Sequence, residues 1–282
     1  MEKSPERLEI LKKIDEYERA GKFDVDVEND PPSRPLKKGE VDYTKKKAVS
    51  KVKTFFANKI AVSHFDGCID RGELVIKEIK GIENYLAVKD EGVILTCNHF
   101  NPFDNYAVNK ALMPYLGKKW LWKIIREGNY TGFPGLYGFF FRNCNTLPIP
   151  SDIHLMKEMT DAVGELLARG EKILIYPEQA MWWNYRKPRP MKSGAFYFAA
   201  KAMAPVLPIF ITMEDTDAVA PDGFPIQAYT LHFMPALFPD AGKKPRENAA
   251  DLMNANAELW KQCYEEAYGV RLEYLSADGG NA

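Results

Sequence analysis

Val93-Ile94-Leu95-Thr96-Cys97-Asn98-His99-Phe100-Asn101-Pro102-Phe103-Asp104 runs from a compact apolar segment into a polar turn. Five apolar or small residues in a row, Val93 to Cys97, read as a strand buried on both faces. Pro102 suits the first turn of a helix, because its missing N–H is one the helix would leave unpaired. We therefore expect a helix over Pro102 to Met113. His99 then lies in a strand-to-helix turn, where reactive groups of α/β folds gather at the carboxyl ends of strands.

The same alternation continues outward from this segment. Strands are expected at Leu74 to Ile79, Lys119 to Ile125, Thr146 to Ile149, Lys172 to Tyr176, Val206 to Thr212 and Ile226 to Phe233. Helical patterns fall at Ile82 to Leu86, Asp152 to Ala168, Ser193 to Met203 and Lys244 to Tyr268. Ser151 or Asp152 offers an N-cap and Gly170 a stop for the second of these. Strands alternating with helices predict an α/β fold, a single domain with a largely parallel sheet flanked by helices. Ahead of it, Glu6 to Ala20 reads as a helix, Phe23 to Tyr43 as a proline-rich arm, and Lys45 to Phe65 as a second helix. The expected division is residues 1–66 as a helical extension and 67–282 as the α/β domain.

The 282 residues are 46% hydrophobic and 27% charged, as in an ordinary globular protein. The net charge of -1 gives no reason to expect a nucleic-acid partner. Charge is uneven, however: between Lys37 and Lys59 the lysines face only Glu40 and Asp42. In the second helix Val49, Val52, Phe55, Phe56, Ile60 and Val62 fall on one broad face, with Lys46, Lys47, Lys51, Lys53 and Lys59 around it. An anionic membrane surface is the expected partner of residues 45–65. Trp120 to Trp122, Phe139 to Phe141, and Trp182 with Trp183 are further aromatic surface candidates, unless they pack the core. No uncharged apolar stretch of about 18 residues is present. The N-terminal segment has no apolar leader pattern. Cys68, Cys97, Cys144 and Cys263 form no C-x-x-C pair and are expected as reduced thiols. A cytoplasmic location at a membrane face follows as an expectation.

His99 and Asp104 are spaced so that a chain turning into a helix can fold the carboxylate back onto the imidazole. The carboxylate would bind Nδ1, fix the tautomer and stabilise the imidazolium, leaving Nε2 to take a proton from an alcohol. The alternative is a His and an Asp that only cap the helix. Downstream stand Ile173-Leu174-Ile175-Tyr176-Pro177-Glu178, Lys192-Ser193-Gly194-Ala195 and Ala204-Pro205-Val206-Leu207-Pro208-Ile209.

This order resembles the lysophospholipid acyltransferase family of the 1-acylglycerol-3-phosphate acyltransferase type. Its patterns are N-H-x4-D, a G-x-F-I-x-R-like block, F-P-E-G-T-R and V-P-I-x-P. Asn98, His99 and Asp104 match the first, Tyr176 to Glu178 the start of the third, and Pro205 to Ile209 the fourth, over about residues 74–240. The resemblance implies O-acyl transfer from an acyl-CoA or acyl carrier protein thioester to a lysophospholipid hydroxyl. His99 would be the base and Asp104 its partner, with Asn98 and Glu178 in the site and no metal or other cofactor.

The departures matter as much as the matches. Gln179-Ala180-Met181 stands where the family has Gly-Thr-Arg. Ser151 falls where the second block usually has arginine, and Arg142 reaches that place only by a shift of register. Arg186, Lys187, Arg189 and Lys192 lie just downstream and are candidates to hold a phosphate instead. A glycolipid or other acceptor without phosphate is the second reading. Glu178 would either bind acceptor hydroxyls or accept backbone N–H bonds of the loop after it. A lipid- or carrier-binding protein without activity is the reading from another class. A hydrolase with a nucleophile elbow is disfavoured, since no G-x-S-x-G is present.

Overall fold

The computed structural model describes residues 2–276; the last six residues of the expected 67–282 unit lie outside them. Among the described residues seven strands form one sheet: β1 (Val75–Lys80), β2 (Val93–Cys97), β3 (Trp122–Arg126), β4 (Thr146–Ile149), β5 (Lys172–Ile175), β6 (Val206–Val219) and β7 (Pro225–Phe233). Their order is β1-β7-β6-β2-β5-β3-β4. Every neighbouring pair is parallel except β6 and β7, which form an antiparallel hairpin. This is the expected α/β fold with a mostly parallel sheet.

The helices are α1 (Pro5–Arg19), α2 (Ala48–Asp70), α3 (Ile82–Leu86), α4 (Asp104–Leu112), α5 (Glu127–Gly132), α6 (Gly135–Asn143), α7 (Ile153–Ala168), α8 (Gly194–Ala202) and α9 (Pro245–Tyr268). α1 and α2 precede the sheet, and α2 runs on through residue 66 without a break. Asp152 caps α7 by accepting from the His154 and Leu155 amides at 2.8 and 3.0 Å. The helical signal of α5 and α6 is too short and too rich in glycine and aromatics to be read from periodicity. β6 exceeds its apolar stretch because the hairpin with β7 carries polar residues beyond the core, to Val219.

β2 lies at the centre and is buried along its whole length. Successive side chains point to opposite faces. Val93, Leu95 and Cys97 join a core built with α2, α3 and α4. Ile94 joins the other core, with α7, α8 and α9. On that face Thr96 donates to the Asn256 side-chain oxygen of α9 at 2.6 Å. Each fully buried aliphatic here contributes about 1.5–3 kcal/mol relative to exposure.

The N-terminal segment is tied to this body. Ile10, Ile14 and Val27 pack with Ala180, Trp182, Trp183 and Phe224. Trp182 and Trp183 are therefore buried, and Leu121, Trp122 and Phe140 are buried in the two main cores. Phe139 alone of those aromatic candidates is counted among the exposed large hydrophobics.

Candidate active site

Past Cys97 the chain leaves the sheet in a controlled way. The Asn98 amide accepts from the Ile211 N–H at 2.8 Å and donates to the Ile211 carbonyl at 3.0 Å. A buried side chain thus extends the pairing of β2 with β6 by one residue. It serves the backbone, with both ends of its amide engaged by β6. The chain then turns, and the Asn101 side chain accepts from the Phe103 amide at 3.1 Å, just ahead of α4.

His99 and Asp104 meet in this turn. Nδ1 of His99 lies 2.7 Å from Oδ2 of Asp104. The imidazole keeps 22% of its surface exposed, whereas the carboxylate has none. Oδ2 also accepts from the amides of Phe100 at 3.0 Å and Asn101 at 3.2 Å. Oδ1 accepts from the Tyr176 hydroxyl at 2.6 Å. The first turn of α4 adds its dipole, which favours an anion there. A buried carboxylate with these donors is satisfied without a cation. In the neutral imidazole this bond uses the Nδ1 proton and leaves Nε2 with a lone pair. The Tyr176 ring stacks on His99 at 4.0 Å and 17°. Burial and the Asp104 charge push the Tyr176 hydroxyl well above its usual range, so it donates throughout the neutral range. Burial likewise holds the Cys97 thiol protonated beneath the site.

Glu178 and Arg189 hold the same turn from behind. Glu178 is 2% exposed and Arg189 2%. Oε2 of Glu178 accepts from the His99 amide at 3.1 Å and from the Arg189 guanidinium at 2.8 Å. Oε1 accepts from the Arg189 amide at 2.7 Å. The guanidinium also donates to the His99 carbonyl at 3.2 Å, to the Phe23 carbonyl at 2.9 Å and to the Ala180 carbonyl. It lies 4.9 Å from the Trp182 ring centre. The backbone of His99 is thus gripped at its N–H by Glu178 and at its carbonyl by Arg189. The Glu178 carboxylate accepts one amide from each side, that of His99 and that of Arg189 in the loop after it.

The remaining basic candidates are spread around the rim. Arg186 pairs with Asp215 at 2.6 Å, Lys187 with Glu18 at 2.6 Å and Lys192 with Asp24 at 2.7 Å. Arg142, at the end of α6, donates to the carbonyls of Tyr130 and Phe133 at 3.3 and 3.0 Å. Exposed Ser151 donates its amide to Glu127 at 3.4 Å. Gln179 is exposed and adopts φ of 68°, a left-handed backbone that glycine takes freely and that costs a glutamine. A left-handed residue with an exposed amide side chain thus stands where the resembled pattern has glycine.

Sequence reasoning found His99, Asp104 and Glu178 as a group. It missed the link from Tyr176 to Asp104 and the burial of Arg189. Tyrosine in place of phenylalanine ahead of Pro-Glu was a usable signal for the first. Arg189 between Pro188 and Pro190 carries none.

Residues 77–212 match the family model described as Acyltransferase. This span holds the His99–Asp104 turn, the Glu178 loop and the central strands. These findings support membership of the broad acyltransferase superfamily. Among solved structures, the chain is similar to the 1-acyl-sn-glycerophosphate (LPA) acyltransferase PlsC from Thermotoga maritima, at 17% identity and a TM-score of 0.50. The likeness covers 78% of this chain and 80% of that one, and at this identity it bears on the fold alone. Comparison with curated proteins gives no match. General acyltransferase chemistry is supported by the matched acyltransferase domain together with the buried His–Asp pair. No group of residues able to hold a metal ion occurs among the described residues.

Proposed function

We propose that the protein transfers a fatty acyl group from an acyl thioester, on coenzyme A or a carrier protein, to the hydroxyl of a lipid acceptor. The observation that carries this reading is the 2.7 Å contact between His99 Nδ1 and a fully buried Asp104. Nε2 of His99 takes the proton as the acceptor oxygen attacks the thioester carbonyl. Asp104 stabilises the imidazolium that forms. When the tetrahedral intermediate collapses, the C–S bond breaks and the imidazolium returns its proton to the leaving thiolate. No protein nucleophile takes part. Incubation with labelled acyl-CoA and a panel of lysolipids and glycolipids, read by mass spectrometry, tests the reading. Absence of any acylated product with both coenzyme A and carrier-protein donors would overturn it.

Two acceptors compete. A lysophospholipid of the 1-acylglycerol-3-phosphate type needs unspent positive charge beside His99. Arg186, Lys187, Arg189 and Lys192 each already face a carboxylate. Arg142 has carbonyl partners and is the remaining candidate for a phosphate. This arrangement favours the second reading, an acceptor without phosphate such as a glycolipid. In direct competition a neutral lysolipid or glycolipid is expected to be acylated in preference to lysophosphatidate. A strong preference for lysophosphatidate, lost about 10- to 150-fold in Arg142→Gln, would restore the first reading.

The acceptor must be met at a bilayer, and α2 supports that role. Val49, Val52, Phe55, Phe56 and Ile60 are exposed, at 65%, 57%, 49%, 59% and 47%. The opposite side of the same helix, at Thr54, Ala57, Asn58, Phe65 and Cys68, is buried in the protein. Leu136, Tyr137 and Phe139 of the neighbouring α6 are exposed too, and Lys51, Lys53 and Lys59 stand among the apolar groups. An apolar patch of this kind on a monomer marks an interaction surface, and the lysines match it to anionic lipid. No helix among the described residues is long and apolar enough to cross a membrane. Removing α2 would tear the core, since Ala57, Phe65 and Cys68 belong to it. The triple variant Phe55→Ser, Phe56→Ser, Ile60→Ser is expected to bind anionic phosphatidylglycerol vesicles at least about 10-fold more weakly, with its melting temperature kept. Undiminished sedimentation with the vesicles would place the contact elsewhere.

A further inference from the structure

The two oxygens of Asp104 have separate duties. Oδ2 gathers His99 Nδ1 and the two amides of the turn. Oδ1 is held by the Tyr176 hydroxyl at 2.6 Å. Without that bond a buried oxygen would lack its donor, and the carboxylate could rotate away from the imidazole to find another. The same tyrosine lies flat on the imidazole, with ring centres 4.0 Å apart and planes 17° apart. One side chain therefore touches both members of the pair. It stands at the end of β5, the strand beside β2, so the sheet itself sets its position.

We propose that Tyr176 is a positioning residue for the His99–Asp104 pair: its ring fixes the plane of the imidazole, and its hydroxyl keeps Asp104 turned with Oδ2 toward Nδ1. The proposal rests on the reading of His99 as the base. Phenylalanine occupies this place in the pattern that the sequence resembles, so the hydroxyl is a departure of this chain from that pattern. Cys97 and Tyr229 also lie near Asp104, and burial keeps both protonated. The Cys97 thiol is directed to the Asn98 side-chain oxygen, and the donor to Oδ1 of Asp104 is the Tyr176 hydroxyl.

The test is a double-mutant cycle with Tyr176→Phe and Asp104→Asn. Phenylalanine retains the ring and nearly the volume, so the fold is preserved, and a melting curve checks this. In the parent background Tyr176→Phe is expected to lower kcat about 10-fold while KM for the thioester stays unchanged. In the Asp104→Asn background the same change is expected to cost less than about 2-fold, because the hydroxyl acts through the carboxylate. Tyr176→Leu, which also removes the stacked ring, is expected to lose more than Tyr176→Phe. A second readout does not depend on catalysis. The His99 Nδ1 proton, bound to a carboxylate, should give a far-downfield proton resonance that disappears in His99→Gln. It is expected to be sharp in the parent and broadened by exchange in Tyr176→Phe. Equal losses in the two backgrounds, or an unchanged resonance in Tyr176→Phe, would overturn the proposal. A parent inactive with every donor and acceptor would instead overturn the reading of the site as an acyltransferase, and the resonance would still decide the role of Tyr176.

Discussion

His99→Ala is expected to lower acyl transfer by about 10²–10⁴-fold, the usual contribution of a positioned general base. An alcohol is a poor nucleophile at neutral pH unless its proton is taken as it attacks, and Nε2 of His99 is the lone pair that the buried carboxylate leaves free. The imidazole is partly exposed and its stacking partner is one ring, so the fold should survive, with a circular dichroism spectrum like that of the parent. Asp104→Asn is expected to fall short of this loss. An amide at 104 can still accept from the backbone of Phe100 and Asn101, yet it carries no charge to stabilise the imidazolium. Single-turnover rates with a saturating thioester measure both variants. Near-parental rates in His99→Ala would mean that the proton leaves by another route and that the mechanism is wrong.

The second large effect is on stability. Arg189→Ala is expected to cost about 3–5 kcal/mol, the penalty for removing one partner of a buried ion pair. Glu178, 2% exposed, would be left with the amides of His99 and Arg189 as its donors. The carbonyls of Phe23, His99 and Ala180 would each lose a donor as well. The melting temperature should drop on the order of 10 °C. Catalysis should fall in the protein that stays folded, because the His99 carbonyl loses the guanidinium and is left with the Trp182 amide as its donor. Replacing the pair together by Glu178→Met and Arg189→Met should destabilise less than Arg189→Ala alone, since no uncompensated charge is left in the interior. A melting temperature within about 2 °C of the parent in Arg189→Ala would show that this network does not hold the rim together.

The sequence alone determined the features that rest on short-range rules. Val93 to Cys97 had to be a buried strand because its residues are apolar without alternation. A cap at Ser151 or Asp152 was legible because such a side chain reaches the nearby amides of a helix start, and the fold gives the role to Asp152. The approach of Asp104 to His99 was legible for the same reason, since five residues of turn and helix start suffice to bring them together. The alternation of strands with helices then led to the α/β class, through rules of chain connection that hold for any such pattern. Tertiary structure alone decided how long-range neighbours use these pieces. Arg186 to Lys192 read as a basic loop open to a phosphate, yet each meets a carboxylate: Glu18 and Asp24 from the N-terminal segment, Asp215 from β6 and Glu178 from the loop after β5. Trp182 and Trp183 looked as fit for a surface as Phe55 and Phe56. The first pair is covered by α1 and the second is left bare, a difference set by which helix docks against which edge. Periodicity reports which face of an element is apolar, but not what covers that face. Coverage, and with it the clamp on His99 and the hydroxyl on Asp104, depends on contacts between residues 72 to 90 positions apart, which the local pattern does not encode.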